Sequence, residues 1–478
     1  HTTIALNARE ITVVEGNPLV VEAAWDVYHH PLVNLVNASG RSFLRATDQK
    51  FDIIQVPLTD SYHPVSSGAY ALGEDYRYTL EAFEDMINNL NPDGLLVITR
   101  WLQENPSEWL RTFTLAVTAL EQNGMNPETN LVALRGYNTG TLLIKPNPFT
   151  ADEIQLVRQF AEEKAFDLVT MPTLTKAEIN QHNILPAPIY YQTFNDFLTI
   201  AKGQSLYRTY PYDVSPPTDN HPFFSHYFKW SQMGQILSAL GSTWQPFGGA
   251  GYLVILIIFG IVLIFAGALI ILPAVFMKGS SGKSHHKPIL AYYAMIGLAF
   301  MLVEMPLIQR FILYLDQPAY ALAAVLFSIL LFSGVGSSFG SRKLPLSRAL
   351  ILLISLLILY NLLLPTLIHI TLGASLVARL GLTILMIAPV GFLMGIPFPS
   401  GLRWIEVVNK GDPGSHQWMI SYAWAVNGAC SVVASILASL ISLSFGFNLT
   451  LIAGILCYLA ALLIFRKNAT NNQKSLNM

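Results

Sequence analysis

The sequence predicts an α/β domain in its first half and a bundle of membrane-spanning helices in its second. Two observations carry this. Up to about residue 146, short β-branched runs closed by Gly, Ser or Pro alternate with helical stretches, the pattern of a parallel, doubly wound sheet. From Gly251 to Met277 the chain then runs without one charge, and a bilayer core of roughly 30 Å needs only about 20 apolar helical residues to be crossed. Composition agrees: 12% of the 478 residues are charged and 52% hydrophobic, against about 25% charged for a typical soluble protein. The division is 1–150 for the α/β domain, 151–250 for an α/β extension and linker, 251–466 for the membrane helices and 467–478 for a polar tail.

The charge balance, 28 Lys and Arg against 30 Asp and Glu, gives no reason to expect nucleic acid as a partner. Cys430 and Cys457 both sit in apolar runs and support neither a disulfide framework nor a zinc site, so no metal is expected. The opening HTTIALNARE is neither a signal peptide nor a span. It reads as the middle of a domain, so the α/β domain is expected to be truncated at its start.

The elements follow in order. Residues 10–16 form a strand closed by Gly16, and a helix begins near Pro18, which suits a first turn. Residues 33–39 and 51–57 are two more strands, and 74–90 form an amphipathic helix. The NPDG turn at 91–94 leads into the strand 95–101, and a helix covers about 106–123. Residues 130–146 are two strands joined by a Gly/Asn turn. A parallel sheet ending in such a hairpin binds ligands at the carboxyl ends of its strands. Glu15 ends the first visible strand, Ser39 and Gly40 the second, and Pro57 to Asp60 the third. With one strand upstream, Glu15 ends the second strand of the whole domain, where a carboxylate accepts from two ribose hydroxyls. The plainer reading is that Glu15 caps the helix starting near Pro18.

The segments VVEGNPLVV, VNLVNASGRSFLR, FDIIQVPLTDS, GAYALGEDYRYTLEAF and NPDGLLVITRW resemble, in order, the core of spermidine synthase-like aminopropyltransferases. PPTDNHPFFSHYFKW, VEMPLIQRFILYL, GFLMGIPFPSGLRW and WAVNGACSVVASI extend the resemblance to the membrane-integral branch of that family. It covers most of the chain, and the shared order of the motifs is its specific part. The resemblance implies a Rossmann-like, methyltransferase-type domain for decarboxylated S-adenosylmethionine or a related nucleoside, attached to a helical membrane domain. The implied ligand contacts are Glu15, Ser39, Gly40 and Pro57.

Three departures from the family pattern bear on activity. The family's Gly-rich loop precedes the acidic strand and so falls upstream of His1. Ser39 stands where the family has an Asp that accepts from the adenine amino group. Pro57 stands where the family has the first of two acids, leaving only the second, Asp60. A polyamine nitrogen is protonated at neutral pH and only its neutral form attacks, so a positioned carboxylate serves as base or cation binder. The catalytic candidates are Asp60 and Tyr76, with Tyr62, Tyr70, Glu74 and Asp75 nearby in sequence. The alternative, equally open, is that Asp60 caps a turn and the tyrosines pack the loop. Ser61 to Gly73 has the composition of a gate over a pocket.

Seven spans are predicted, at about 251–277, 289–314, 319–339, 349–371, 376–397, 419–443 and 447–465. Basic residues follow the first, third, fifth and seventh, which by the positive-inside rule puts the carboxyl terminus in the cytoplasm of a protein integral to the cell (inner) membrane. An odd number of spans sets the α/β domain outside, against a cytosolic nucleoside. Either one span is re-entrant, since Glu304, Pro306, Gln309 and Arg310 interrupt the second run, or the domain faces outward. Arg379 reads as a snorkelling residue at a span end. Pro397 and Pro399 mark an ordinary span end or a helix break lining a cavity, and Gly336 and Gly340 a close helix contact. Two functions stand: transfer of an aminopropyl or related alkyl group to a polyamine or other small amine at the bilayer, or a transporter or membrane sensor that binds ligand without catalysis. A purely structural scaffold leaves Glu304 unexplained.

Overall fold

The computed structural model describes residues 8–58, 73–103, 105–200, 204–234, 250–276, 286–408 and 413–476. They form two compact units, His1–Leu253 and Val254–Met478.

In the first unit β1 (Ile11–Val14) and β2 (Val33–Val36) pair in parallel, with Ile11 opposite Val33. Between them α1 (Pro18–Ala23) starts as its residues dictate: Asn17 accepts from the Leu19 N–H, and Pro18 occupies the first turn. After β2 comes α2 (Gly40–Ala46), then β3 (Phe51–Val56), α3 (Leu80–Asn88), β4 (Leu90–Trp101) and α4 (Glu108–Gln122). β5 (Leu131–Arg135), β6 (Thr139–Ile144), α5 (Ala151–Glu163), β7 (Asp167–Thr170) and α6 (Ile189–Ile200) complete the labelled elements of this unit. The second sheet has the order β3-β4-β6-β5-β7, with β3 and β4 parallel and every later pair antiparallel.

This α/β unit differs from the single parallel sheet expected over 10–146. β1 and β2 form a sheet of their own, while β3 gives its ladder to β4, where Ile54 and Val56 pack against the main core. The NPDG segment is an irregularity inside β4, not a turn before it. β7 was not foreseen. The core lies where α4 crosses the β4–β6–β5 surface. Trp109, Phe113, Ala116 and Leu120 meet Leu96, Ile98, Leu142 and Ile144, all fully buried. Truncating an aromatic in such a core costs about 3–5 kcal/mol.

The second unit is all helical, and seven of its helices are long and apolar enough to cross a membrane. They run through α7 (Ala250–Phe276), α8 (His286–Leu315), α9 (Pro318–Val335), α10 (Leu346–Thr371), α11 (Leu376–Met394), α13 (Pro413–Phe445) and α14 (Phe447–Leu476), the short α12 (Pro397–Val408) following α11. The suspected interruption of the second span is absent: α8 is one continuous helix through Pro306. It is the most enclosed of the seven, with 61% of its span buried, because α13 and α14 pack along it. Asn427 and Ser431 of α13 donate to the Tyr293 and Gly297 carbonyls of α8 (3.1 and 3.2 Å). Pro397 and Pro399 sit in the first turn of α12, after a break at Gly395–Ile396, where a missing N–H costs nothing.

α9 ends in a π-turn over Gly336–Gly340, and two small-residue pairs explain its fit on α11. A Cβ on Gly336 would lie 1.9 Å from the Phe392 carbonyl oxygen, and one on Gly395 would lie 2.0 Å from that of Ser333. A Cβ on Gly340 would crowd the Ile396 and Phe392 side chains (2.9 and 3.0 Å) and one on Gly391 the Ile329 backbone (3.2 Å), so the two Gly-xxx-Gly faces lie close together, main chain against main chain at Gly336 and Gly395. Gly395→Val is expected to lower the stability of the membrane unit by at least about 1–3 kcal/mol, since the obstruction is main chain and not a movable side chain. Gly428→Ala, whose new methyl meets nothing within 4 Å, is the control. Thermal unfolding of the full chain in detergent checks both, and equal melting temperatures would remove the backbone-contact explanation.

Candidate functional site

The ends of β1 and β2 bring the first candidate residues together. The Glu15 N–H donates to the Val36 carbonyl (3.0 Å) and its own carbonyl accepts from Asn37 Nδ2 (2.8 Å). Glu15 is not the cap of α1; Asn17 is. The Glu15 carboxylate closes the turn before it, Oε1 accepting from the Asn17 N–H (2.8 Å). Oε2 has no hydrogen bond among the described residues. Beside it Ser39 caps α2, its Oγ accepting from the Ser42 N–H (3.2 Å) and sharing a hydrogen with Ser42 Oγ (2.9 Å). Gly40 opens α2, and a Cβ there would meet nothing within 4 Å. A half-buried carboxylate, a hydroxyl and an open glycine thus stand at adjacent strand ends.

The other candidates lie apart. Pro57 is exposed just past β3, in the other sheet. Asp60, Tyr62, Tyr70 and almost all of the Ser61–Gly73 gate lie outside the described residues. Tyr76 is buried at 9% exposure, and its carbonyl accepts from Arg41 Nη1 (3.2 Å). Asp75 is engaged by Arg77 (2.9 and 2.8 Å).

Sequence reading missed the residue that links these parts. Arg41, next to Gly40 and 6% exposed, donates from Nε to Asp85 of α3 (2.8 Å), from Nη1 to Thr79 (3.1 Å), and from both Nη atoms to the two oxygens of Asp219 (3.1 Å each). Arg45 adds a second bond to Asp85 (2.5 Å). Burial works against the Arg41 charge, but Asp219 and Asp85 outweigh it and raise its pKa. The only advance signal was Asp219 itself, an acid in the proline-rich stretch PPTDNHPFF.

Arg111 of α4, with 0% side-chain exposure, holds that same stretch. Its Nη1 donates to the carbonyls of Phe223, Phe224 and His226 (3.0, 2.7 and 2.7 Å), and its Nε to that of Ser215 (2.9 Å). Burial first, then Arg111, hold the His226 imidazole down to about 3, so it stays neutral and is no acid–base catalyst near neutrality. A groove of about 560 Å³ lies between α5 and residues 177–182, away from the β1 and β2 ends. In its lining Arg158 pairs with Glu178 (2.6 Å), and His182 Nε2 lies 3.3 Å from Glu162.

Within the membrane unit Arg379 does not snorkel. It is buried, donating to Asp316 (2.7 Å) and to the Tyr314 carbonyl (2.6 Å), so it pins the turn between α8 and α9. Arg310 donates to Asn448 of α14. Glu304 is 6% exposed, in the most enclosed span, with no ion pair or hydrogen bond to its carboxylate among the described residues.

Glu81 gives the Arg41 network a pH dependence. Its Oε2 accepts from the Asp219 N–H (2.9 Å), and burial, then the Asp219 charge, push its carboxyl up to about 7. The folded protein therefore holds a proton that the unfolded chain releases at the ordinary carboxylate value. Its contribution is most favourable below that value and declines as pH rises toward about 7. Glu81→Gln, which keeps the acceptor, is expected to flatten the melting temperature between about pH 5 and 7 and to raise it above 7 relative to the parent. An unchanged slope would remove Glu81 as its source.

Comparison with models of known protein families found no match to the chain, and comparison with curated proteins found none either, so the functional reading rests on the residues themselves.

Proposed function

We propose that this is a membrane-integral, spermidine synthase-like protein whose α/β unit binds a nucleoside sulfonium such as decarboxylated S-adenosylmethionine. The observation that carries the reading is the juxtaposition of Glu15, Ser39 and Gly40 at the carboxyl ends of two adjacent parallel strands. Glu15 Oε2 is the acceptor for a ribose hydroxyl, Ser39 Oγ the acceptor for an adenine amino group, and Gly40 lets the ligand approach the backbone. In the transfer itself a neutral amine nitrogen attacks the carbon next to the sulfonium. The C–S bond breaks, the thioether leaves with the electron pair, and the amine gives up a proton to a base. Pro57 cannot take that proton, which leaves Asp60. A missing general base typically costs about 10²–10⁴-fold in rate, so ligand binding is the stronger expectation and efficient transfer the weaker one. The membrane assignment is the cell (inner) membrane, with the carboxyl terminus in the cytoplasm and a polyamine or other small amine as acceptor.

A second reading, a transporter or membrane sensor whose α/β unit binds ligand without catalysis, is favoured by one observation. Glu304 lies deep in the most enclosed helix without a partner among the described residues, and intramembrane carboxylates of that kind mark ion or substrate paths.

Calorimetric titration of the full-length protein in detergent with decarboxylated S-adenosylmethionine tests the first reading. Binding is expected, weakened about tenfold or more by Glu15→Gln, since a hydrogen bond to a charged acceptor contributes about 1.5–3 kcal/mol. Gly40→Ala, whose new methyl meets no protein atom within 4 Å, is expected to hinder the ligand without unfolding the domain. Slow turnover with putrescine, abolished by Asp60→Asn, would place the chain among the transferases; binding without turnover favours the sensor or transporter. No binding at all defeats the nucleoside assignment.

A further inference from the structure

The π-turn after α9 delivers Ser341–Lys343 onto the start of α12, and the two basic connections meet there. Arg342 and Lys343 come from the connection between α9 and α10, Arg403 from α12, and together with Pro345, Leu346 and Ser400 they line a cleft of about 310 Å³. Arg403 is fixed in place: its Nη2 donates to the Ser341 carbonyl and to Ser400 Oγ (3.0 Å). Arg342 and Lys343 are exposed. Among the described residues none of the three cations forms an ion pair, and Glu406, one turn along α12, is not bonded to Arg403. The cleft therefore gathers three positive charges and no carboxylate.

Its surroundings are apolar. Phe339, one turn before Lys343, is 64% exposed, and Val335 and Leu352 on the α9 and α10 surfaces are also exposed. Both helices are long and apolar enough to cross a membrane, where exposed side chains of this kind meet hydrocarbon. Basic residues that only set orientation act from their own connection and need no fixed geometry. Here a guanidinium from a separate helix is held in register with two others. A planar donor fork held beside further cations is the arrangement that recognises a phosphate, and an apolar flank rising from it suits acyl chains.

We propose that this cleft binds the phosphate of an anionic phospholipid headgroup, with the lipid's chains lying along α9 and α10. The site is independent of any nucleoside binding by the α/β unit. The test is calorimetric titration of the full-length protein in a non-ionic detergent with dioctanoyl phosphatidylglycerol, dioctanoyl phosphatidylcholine and inorganic phosphate. Saturable binding of the phosphatidylglycerol is expected, weakened at least about tenfold by the double variant Arg342→Ala/Lys343→Ala and also by Arg403→Ala. The phosphatidylcholine is expected to bind no better than the variants do, and millimolar phosphate to leave the lipid isotherm unchanged. Because Arg403 also bonds to Ser341, its variant can perturb α12; the two exposed residues keep the test decisive. Equal binding of the two lipids, or a double variant that binds as the parent does, overturns the proposal. Displacement of the lipid by phosphate alone overturns the lipid assignment in favour of a soluble phosphate ligand.

Discussion

The α/β unit depends on one buried guanidinium. Residues 213–228 have almost no regular structure, so their carbonyls need donors from elsewhere once they leave water. Arg111 supplies four such bonds from inside α4, and Thr114 adds one to Val214 (2.7 Å). Thus fixed, the segment reaches outward: the Pro217 carbonyl accepts from the Leu80 N–H (2.9 Å), the Pro222 carbonyl from that of Asp75 (2.7 Å), and Asp219 grips Arg41. The β1–β2 sheet shares no ladder with the main sheet. What positions Ser39 and Gly40 is therefore this relay, from α4 through an irregular segment to the residue beside them.

Such a relay is a costly design. A guanidinium taken from water loses hydration that only complete hydrogen bonding offsets, and breaking a buried pair typically costs about 3–5 kcal/mol. Arg41 meets the condition with both carboxylates, a threonine hydroxyl and a carbonyl. Two arginines face Asp85 and Asp219 in that cluster, so Glu81 is the surplus acid. Burial first, and then the Asp219 charge, raise its pKa. Charge balance in the cluster is reached when Glu81 carries its proton.

The order of strands and helices was legible because alternation and capping are local. Pro18, Gly16 and the apolar run from Gly251 each act within a turn or a span. So was the Gly336/Gly340 contact, since small residues one turn apart leave a flat helix face. The relay was not legible, because Arg111 finds its carbonyls and Arg41 its Asp219 more than a hundred residues away. The same reason hid Arg379: a cation near a span end reads as surface-seeking until Asp316 is seen in the adjoining turn. Splitting of the sheet was equally invisible, because strand patterning records which face is apolar and not which neighbour is paired. Of the candidate residues, Glu15, Ser39 and Gly40, named from their strand-end positions and from the family resemblance, lie at adjacent strand ends, while Pro57 belongs to a strand that the ladder assigns elsewhere.

The two units answer the same difficulty in different solvents, and the comparison isolates one residue. In the α/β unit Arg41 and Arg111 donate to carboxylate, hydroxyl and carbonyl oxygens. Within the membrane unit Arg379 takes a carboxylate and a carbonyl, and Arg310 an amide oxygen. Hydrocarbon cannot supply the bonds that water would, so each of these partners is a condition of the fold. Ser442 and Thr450 follow the same rule, sharing a hydrogen (2.9 Å) across the turn between α13 and α14. Glu304 departs from it. Its helix is the one most enclosed by its neighbours, so lipid headgroups offer no relief, and nothing among the described residues donates to it. Packing gives no reason for a carboxylate in that helix with no hydrogen bond among the described residues, and intramembrane carboxylates mark ion or substrate paths, which is why the transporter or sensor reading stands beside the transferase.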